Sequence, residues 1–327
     1  MRDEQHELPK LANVSVDLDA LECYHRIHGV PAHADPVAMY TVALFRILEL
    51  FEELHLRATF FVVGKDLEHP RAAEALREAV ARGHEVASHS YSHAYNLRTW
   101  SKLSVADEIE RASDAIFNAI GQRPLGFRTP GYNVDTRILQ LLSERGYKYD
   151  SSVLPSLPYY VSKGAVMAAM SVFRKPSGSS AVAVHSLKAP IQPYRPSRWA
   201  FWKAGNRKHS LPIWEIPIGV VRGTGFPVIG TSVGMTPPRL LTALYKSFRS
   251  GQKTLQFELH GIDFLDMNDA VVSAELAKKQ PDLRRDWSTK VANLRTFIEL
   301  MQRDYRLVTL NELADELNSA AGPTVVA

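Results

Sequence analysis

LANVSVDLD, residues 11–19, is an apolar run closed by two acids, and it reads as a β-strand whose end carries Asp17 and Asp19. Downstream, the chain alternates in type. Residues 36–56, PVAMYTVALFRILELFEELHL, repeat apolar side chains at helical spacing, whereas RATFFVVG (57–64) reads as a strand. PRAAEALREAVARG (70–83) is a helix closed by Gly83 at its C-cap, and HEVASHS (84–90) is again a strand. A helix over 104–121 with Ser104 as N-cap, the strand PLGFR (124–128), a helix over 135–146 and the strand YKYDSS (147–152) complete the first half. Beyond a proline-rich stretch come a strand over 212–221, a helix over 237–251, the buried strand KTLQFELH (253–260), a helix over 286–304, a short strand over 305–310 and a helix over 311–320. Repeated strand–helix alternation predicts an α/β fold built on one parallel sheet. A barrel is favoured over an open sheet, because polar residues recur at strand C-termini: Asp17, His89, Arg128, Asp150 and His260.

The 327 residues are 45% hydrophobic and 23% charged, a globular composition that excludes a wholly disordered chain. The single cysteine, Cys23, excludes an intramolecular disulfide framework and a multi-cysteine zinc site, so any metal must be held by histidines and carboxylates. MRDEQHELPK at the start has no apolar signal core, and no uncharged apolar stretch reaches a membrane span; a soluble or peripheral protein facing the cytoplasm is expected. The net charge of +4 is unevenly spread. Residues 151–257 contain 14 Lys and Arg against one acid, Glu215, giving +13, while the rest of the chain carries −9. Trp199, Trp202 and Trp214 lie in the same basic segment, which implies an anionic partner there.

At positions i and i+2 of a strand, Asp17 and Asp19 face one way, so one can ligate a metal while the other serves as general base. His89 and His93 in HSYSH are four apart, a spacing that presents two imidazoles from one helical turn. Arg128 precedes a Pro-Gly turn; its planar fork suits a buried carboxylate, and the turn can aim a backbone N–H at a developing oxyanion. Asp150 closes one strand and His260 another, and each taken singly also suits a cap or a hydrogen-bonded core residue. His25, His28 and His33 read as a loop lining the cleft.

Taken in order, VDLD, HSYSH, FRTPGYN, YDSS and FELH resemble the NodB-homology polysaccharide deacetylases, carbohydrate esterase family four, across Leu11 to Asp150 and from Pro212 onward. The resemblance implies one such domain over 1–327, a deformed (β/α) barrel. Residues 151–211, where the resemblance is thinnest, read from their charge and aromatic content as a basic insertion within it that contacts substrate or membrane, or as an ordinary solvated insertion. The resemblance further implies Asp17 as catalytic base, Asp19, His89 and His93 as metal ligands, Arg128 as the residue that steers Asp17, and Gly131 or Tyr132 as oxyanion donor. His260 would be the general acid and Asp150 its orienting partner. Leu18 separates acids that are adjacent in many members, and Gly131-Tyr132 reverses their Tyr-Gly order.

One divalent ion is implied, with zinc the first choice for two imidazoles and a carboxylate, and nickel, cobalt or iron compatible with the same donors. The expected activity is removal of an acetyl or formyl group from the nitrogen of an amino sugar. The basic segment is similar in general character to that of enzymes acting on undecaprenyl-phosphate-linked amino sugars, so a lipid-linked or envelope glycan precursor is the expected substrate. An anionic membrane surface or lipid phosphate is the expected partner, and nucleic acid is not expected. A soluble oligosaccharide or peptidoglycan deacetylase, an allantoinase-like amidohydrolase and a catalytically silent glycan- or membrane-binding module are the alternatives.

Overall fold

A computed structural model describes residues 10–31, 35–162 and 185–321. Eight parallel strands form one curled sheet: β1 (Leu11–Leu18), β2 (Thr59–Val62), β3 (Glu85–Ser88), β4 (Gly126–Phe127), β5 (Tyr149–Asp150), β6 (Trp214–Glu215), β7 (Thr254–His260) and β8 (Arg306–Leu307). Their order is β6-β5-β4-β3-β2-β1-β7, with β8 beside the first residues of β1. Between β6 and β7 irregular chain spans the gap: the Ile216 N–H donates to the Asp150 carbonyl, the Gly219 N–H to Gln256 Oε1, and Ile229 bridges to Glu258. The result is the expected deformed barrel. Pro217 has no N–H for a ladder, and the strand expected over 212–221 is accordingly reduced to two residues.

Ten helices are described: α1 (Leu21–His28), α2 (Leu44–Glu53), α3 (Pro70–Ala81), α4 (Lys102–Ile120), α5 (Thr136–Glu144), α6 (Gly230–Met235), α7 (Pro238–Arg249), α8 (Ala274–Lys279), α9 (Trp287–Asp304) and α10 (Leu310–Ala321). Pro70 opens α3, where its missing N–H costs nothing. The expected cap of α4 shifts by three residues: Ser101 accepts the Ser104 N–H, and left-handed Gly121 ends the helix. His25 and His28, expected in a loop, belong to α1. His25 Nδ1 pairs with the Leu21 carbonyl, and His28 Nε2 with Gln280 Oε1. His33 lies outside the described residues. Among the described residues no helix is long and apolar enough to cross a membrane.

Strand parity divides the sheet into two chemistries. Ala12, Val14, Val16 and Leu18 on β1, with Leu255, Phe257 and Leu259 on β7, turn outward into the core shared with the helices. The opposite face lines the barrel. Its floor is apolar, with Leu11, Phe61, Ala87, Tyr149 and Ile216 packed together, and Gly126 leaves room for the Tyr149 ring, which a Cβ there would meet at 1.9 Å. Above that floor lies a buried polar layer of Ser15, Asp17, Arg128, Gln256 and Glu258. The register places Asp17 beside His260 and Ser15 beside Glu258, so the mouth of the barrel is ringed by ionisable groups.

Of the basic segment, residues 163–184 lie outside the described residues. Residues 185–211 fold back on α5: Phe201 and Leu211 join Leu97, Val105 and Ile138 in one apolar cluster, and the Phe201 N–H donates to Thr136 Oγ1.

Candidate functional site

Arg128 organises the polar layer. It is fully buried, and its Nε donates to the Ser151 carbonyl at 2.7 Å, its Nη2 to Ser15 Oγ and Ser151 Oγ at 3.0 Å each, and its Nη1 to Asp17 Oδ1 at 2.5 Å. Nη1 also lies 3.1 Å from Glu258 Oε1, and the guanidinium sits over the Phe61 ring at 4.0 Å. This fork holds Oδ1 of Asp17 and leaves Oδ2 facing His89 Nε2 at 3.7 Å and His260 Nε2 at 4.0 Å.

Asp19 emerges one residue past the strand and turns toward the histidine pair. Its Oδ1 is 3.0 Å from His93 Nε2 and 3.4 Å from His89 Nε2. His89 Nδ1 donates to the Arg128 carbonyl at 2.9 Å, which leaves its Nε2 lone pair toward Asp19. His93 Nδ1, His93 Nε2 and Asp19 Oδ1 are buried without a hydrogen-bond partner among the described residues. Buried polar atoms are normally satisfied. One carboxylate and two imidazoles, with donor atoms within 4.8 Å of one another, form a set a divalent ion would satisfy, and these residues fit one.

The HSYSH segment is no helical turn. Ser90 and His93 both take left-handed backbone, at φ 65° and 54°, which no spacing rule announces. The loop is clamped from outside: Ser92 N and Oγ both donate to Glu108 Oε1 on α4, the Gly64 N–H donates to the Ser90 carbonyl, and Ser90 Oγ accepts the His93 N–H. Strained backbone of this kind persists where surrounding bonds over-determine it.

The turn after β4 is left-handed as well, with Gly131 at φ 64°, which glycine adopts freely, and Tyr132 at φ 63°, where a side chain is strained. A Cβ on Gly131 would stand 2.7 Å from the Tyr95 ring. Of the two expected oxyanion donors, the Tyr132 N–H is committed to the Thr129 carbonyl at 3.1 Å, which leaves Gly131 as the candidate. Tyr132 reaches inward instead, and its hydroxyl donates to Glu258 Oε2 at 2.9 Å.

His260 ends β7 beside Asp17. Burial works against its cation, but Glu258, Asp17, Asp19 and Asp263 outweigh that and hold its pKa up at about 9. Burial likewise pushes Glu258 up to about 7 against the pull of Arg128. Glu258 escaped the sequence reading. The available signal was an acid inside an otherwise apolar strand, two residues before His260 and on the same face.

Asp150 is placed away from the position expected for it. Its carboxylate accepts from Ser152 Oγ at 2.9 Å and from the Ser152 N–H at 3.1 Å, and across the sheet it faces Glu215. The acid beside His260 is Glu258. Burial raises both members of the Asp150–Glu215 pair, Asp150 to about 6, and Asp150 drives Glu215 up further. Unfolded carboxyls titrate near ~4, so the pair's stabilising contribution is complete below that pH and is lost as pH rises through these higher values. Denaturant unfolding across about pH 5 to 8 is therefore expected to show falling stability, with a shallower fall in Glu215→Gln. Identical slopes in the two proteins would contradict the raised titration of this pair.

Residues 38–149 match the polysaccharide deacetylase family. The peptidoglycan deacetylase of Helicobacter pylori is 30% identical over 160 residues, which is 47% of this chain and 54% of that protein. This chain spans about half the length of the curated relatives it matches. Among solved structures, a protein assigned to the polysaccharide deacetylases from Mycobacterium smegmatis covers 98% of this chain and 95% of its own, at TM-score 0.60 and 18% identity. PuuE allantoinase covers 96% and 92%, at TM-score 0.57 and 17% identity. Such distant structures speak for the fold alone, and the likeness to the family comes from the sequence match. Match and fold agree: residues 38–149 are similar to the polysaccharide deacetylases, and the fold is shared with both of these solved structures.

Proposed function

We propose that this chain is a metal-dependent hydrolase that removes an N-acyl group from an amino sugar of an envelope glycan or its precursor. The observation that carries the reading is the division of the two carboxylates at the end of β1: Asp17 is held by Arg128 toward His260, and Asp19 is turned to His89 and to His93, whose ring nitrogens have no hydrogen-bond partner among the described residues. Asp19, His89 and His93 would hold the ion. A bound divalent ion supplies Lewis acidity and acidifies water.

The chain's own groups carry the proton traffic. Asp17 Oδ2 takes the proton of the attacking water, Arg128 fixes the carboxylate's angle, and the Gly131 N–H faces the oxygen on which charge develops. Protonated His260 delivers its proton to the leaving amine nitrogen, without which an amine is a poor leaving group. Glu258 keeps His260 charged and, through Tyr132, ties the oxyanion turn to the same strand.

Because the acid must be protonated, turnover falls as pH rises through the His260 value of about 9. In Glu258→Gln the alkaline limb is expected to move down toward the ordinary histidine value of about 6.5, with metal content unchanged. A limb that stays in place would remove Glu258 from the mechanism.

A lipid-phosphate carrier for the sugar is the second reading, favoured by exposed Leu157, Val161 and Phe226 near the mouth. Tyr159, between the first two, packs edge-on against Tyr132 at 5.3 Å, and Gly225, next to Phe226, lies against the Pro155–Leu157 backbone. The test of both is to load the protein with zinc and offer N-acetyl and N-formyl amino sugars, free, oligomeric and lipid-linked, while measuring released acetate and formate. No acyl release from any member would sink the proposal, and faster release from lipid-linked sugars would select the second reading.

A further inference from the structure

Between Asp150 and Glu215 the chain has no acidic residue, and part of that stretch builds a fixed surface beside the site. Residues 194–211 are cross-linked by the bridges Pro196↔Ala204 and Ser197↔Ser210, by the Ser197 N–H to the Lys203 carbonyl, and by the Arg198 N–H to the His209 carbonyl. Buried Phe201 and the Tyr194 hydroxyl on its carbonyl pin the unit from below. Gln140 Nε2 holds the Arg198 carbonyl at 3.0 Å and Thr136 Oγ1 the Phe201 N–H at 3.1 Å, both from α5, the helix that comes after the Gly131–Tyr132 turn. The unit is thereby attached to α5, whose first residue, Thr136, stands four past Tyr132.

Trp199 stands on its outer face, 69% exposed, with its ring 4.9 Å from His209. Arg198, Lys203 and Lys208 are exposed around it and, among the described residues, have no acidic partner. Arg195, expected in the same patch, is engaged elsewhere: it donates to Asn318 Oδ1 and lies over Trp214.

We infer that the Trp199 unit is a docking platform for an anionic glycan chain, holding a saccharide that bears carboxylate or phosphate next to the reacting sugar. The inference rests on the amino-sugar reading above and adds to it the class of polymer. An exposed indole offers a flat, electron-rich face to the C–H face of a pyranose, and the three cations around it would take the acidic substituents. A bilayer fits less well. Among the described residues of 185–211 Trp199 is the one large apolar side chain exposed, whereas interfacial binding scales with a broader buried apolar face.

The experiment measures equilibrium binding of the full chain to polygalacturonate, to neutral dextran and to phosphatidylglycerol vesicles, at low and raised salt, and separately measures turnover of short neutral N-acetylated oligosaccharides. The platform predicts binding to polygalacturonate over dextran, weakened by salt. Trp199→Ala should lower that affinity about tenfold or more. The triple variant Arg198→Gln, Lys203→Gln, Lys208→Gln should flatten its salt dependence. Both variants should turn over the short substrates as the parent does. Equal affinity for the two polymers, or unchanged affinity in both variants, would overturn the platform, as would a Trp199 effect confined to vesicles. A parent chain that deacylates short oligosaccharides yet ignores polygalacturonate overturns the platform alone and leaves the deacylase reading intact.

Discussion

Replacing Asp17 by Asn lowers turnover by about 10²–10⁴-fold, the range general-base assistance typically supplies. Asn keeps the volume and can still accept from Arg128 through its carbonyl oxygen, so the buried guanidinium retains a partner and the barrel mouth keeps its shape. What disappears is the basic oxygen that faces His89 and His260. Acetate release under single-turnover conditions checks this. A variant with nearly the parent's rate would remove Asp17 from the role of base.

Loss of an imidazole acts at the other pole of the site. His93→Ala deletes the ring whose two nitrogens have no hydrogen-bond partner among the described residues, and its metal affinity should fall by more than the roughly 10–100-fold that removal of an outer partner costs. His89→Ala should behave alike. It also frees the Arg128 carbonyl from its bond to Nδ1, so thermal stability should drop more than in His93→Ala. Elemental analysis after dialysis against zinc reads the first effect and thermal unfolding the second. Parent-level zinc in both variants would dissolve the assignment of ligands.

How far the sequence carries toward this site depends on which physical rule each residue obeys. The parallel sheet was legible in the strand–helix alternation. The clustering of Asp17, Asp19, His89, Arg128 and His260 was legible too, because strand-end residues of a barrel converge on one mouth and β1 places Asp17 level with His260 on β7. His93 was legible as a companion of His89 by spacing, but for the wrong local reason. Four residues apart suggests a helix, whereas left-handed Ser90 and His93, fixed by Glu108 and Gly64 from other elements, fold the loop so that the two rings stand 4.9 Å apart.

Asp150 pairs elsewhere than expected, and Glu258 went unread, because their partners are set by sheet order. The neighbour of β5 is β6, which brings Glu215 to Asp150 across 65 residues of chain, and an acid ending YKYD carries no mark of that. Glu258 hides in an apolar run, since its compensation by Arg128 and the Tyr132 hydroxyl comes from a different strand and a different turn. The same holds for Arg195, whose basic context in sequence says nothing of Asn318 on α10.

Asp17 and Asp19 have separate work, and the zinc contents of Asp17→Asn and Asp19→Asn, purified side by side with the parent, tell the two roles apart. Asp17→Asn is expected to keep parent-like zinc with turnover lowered as above, and Asp19→Asn to lose its zinc. Equal retention in both variants, or equal loss in both, would contradict that separation.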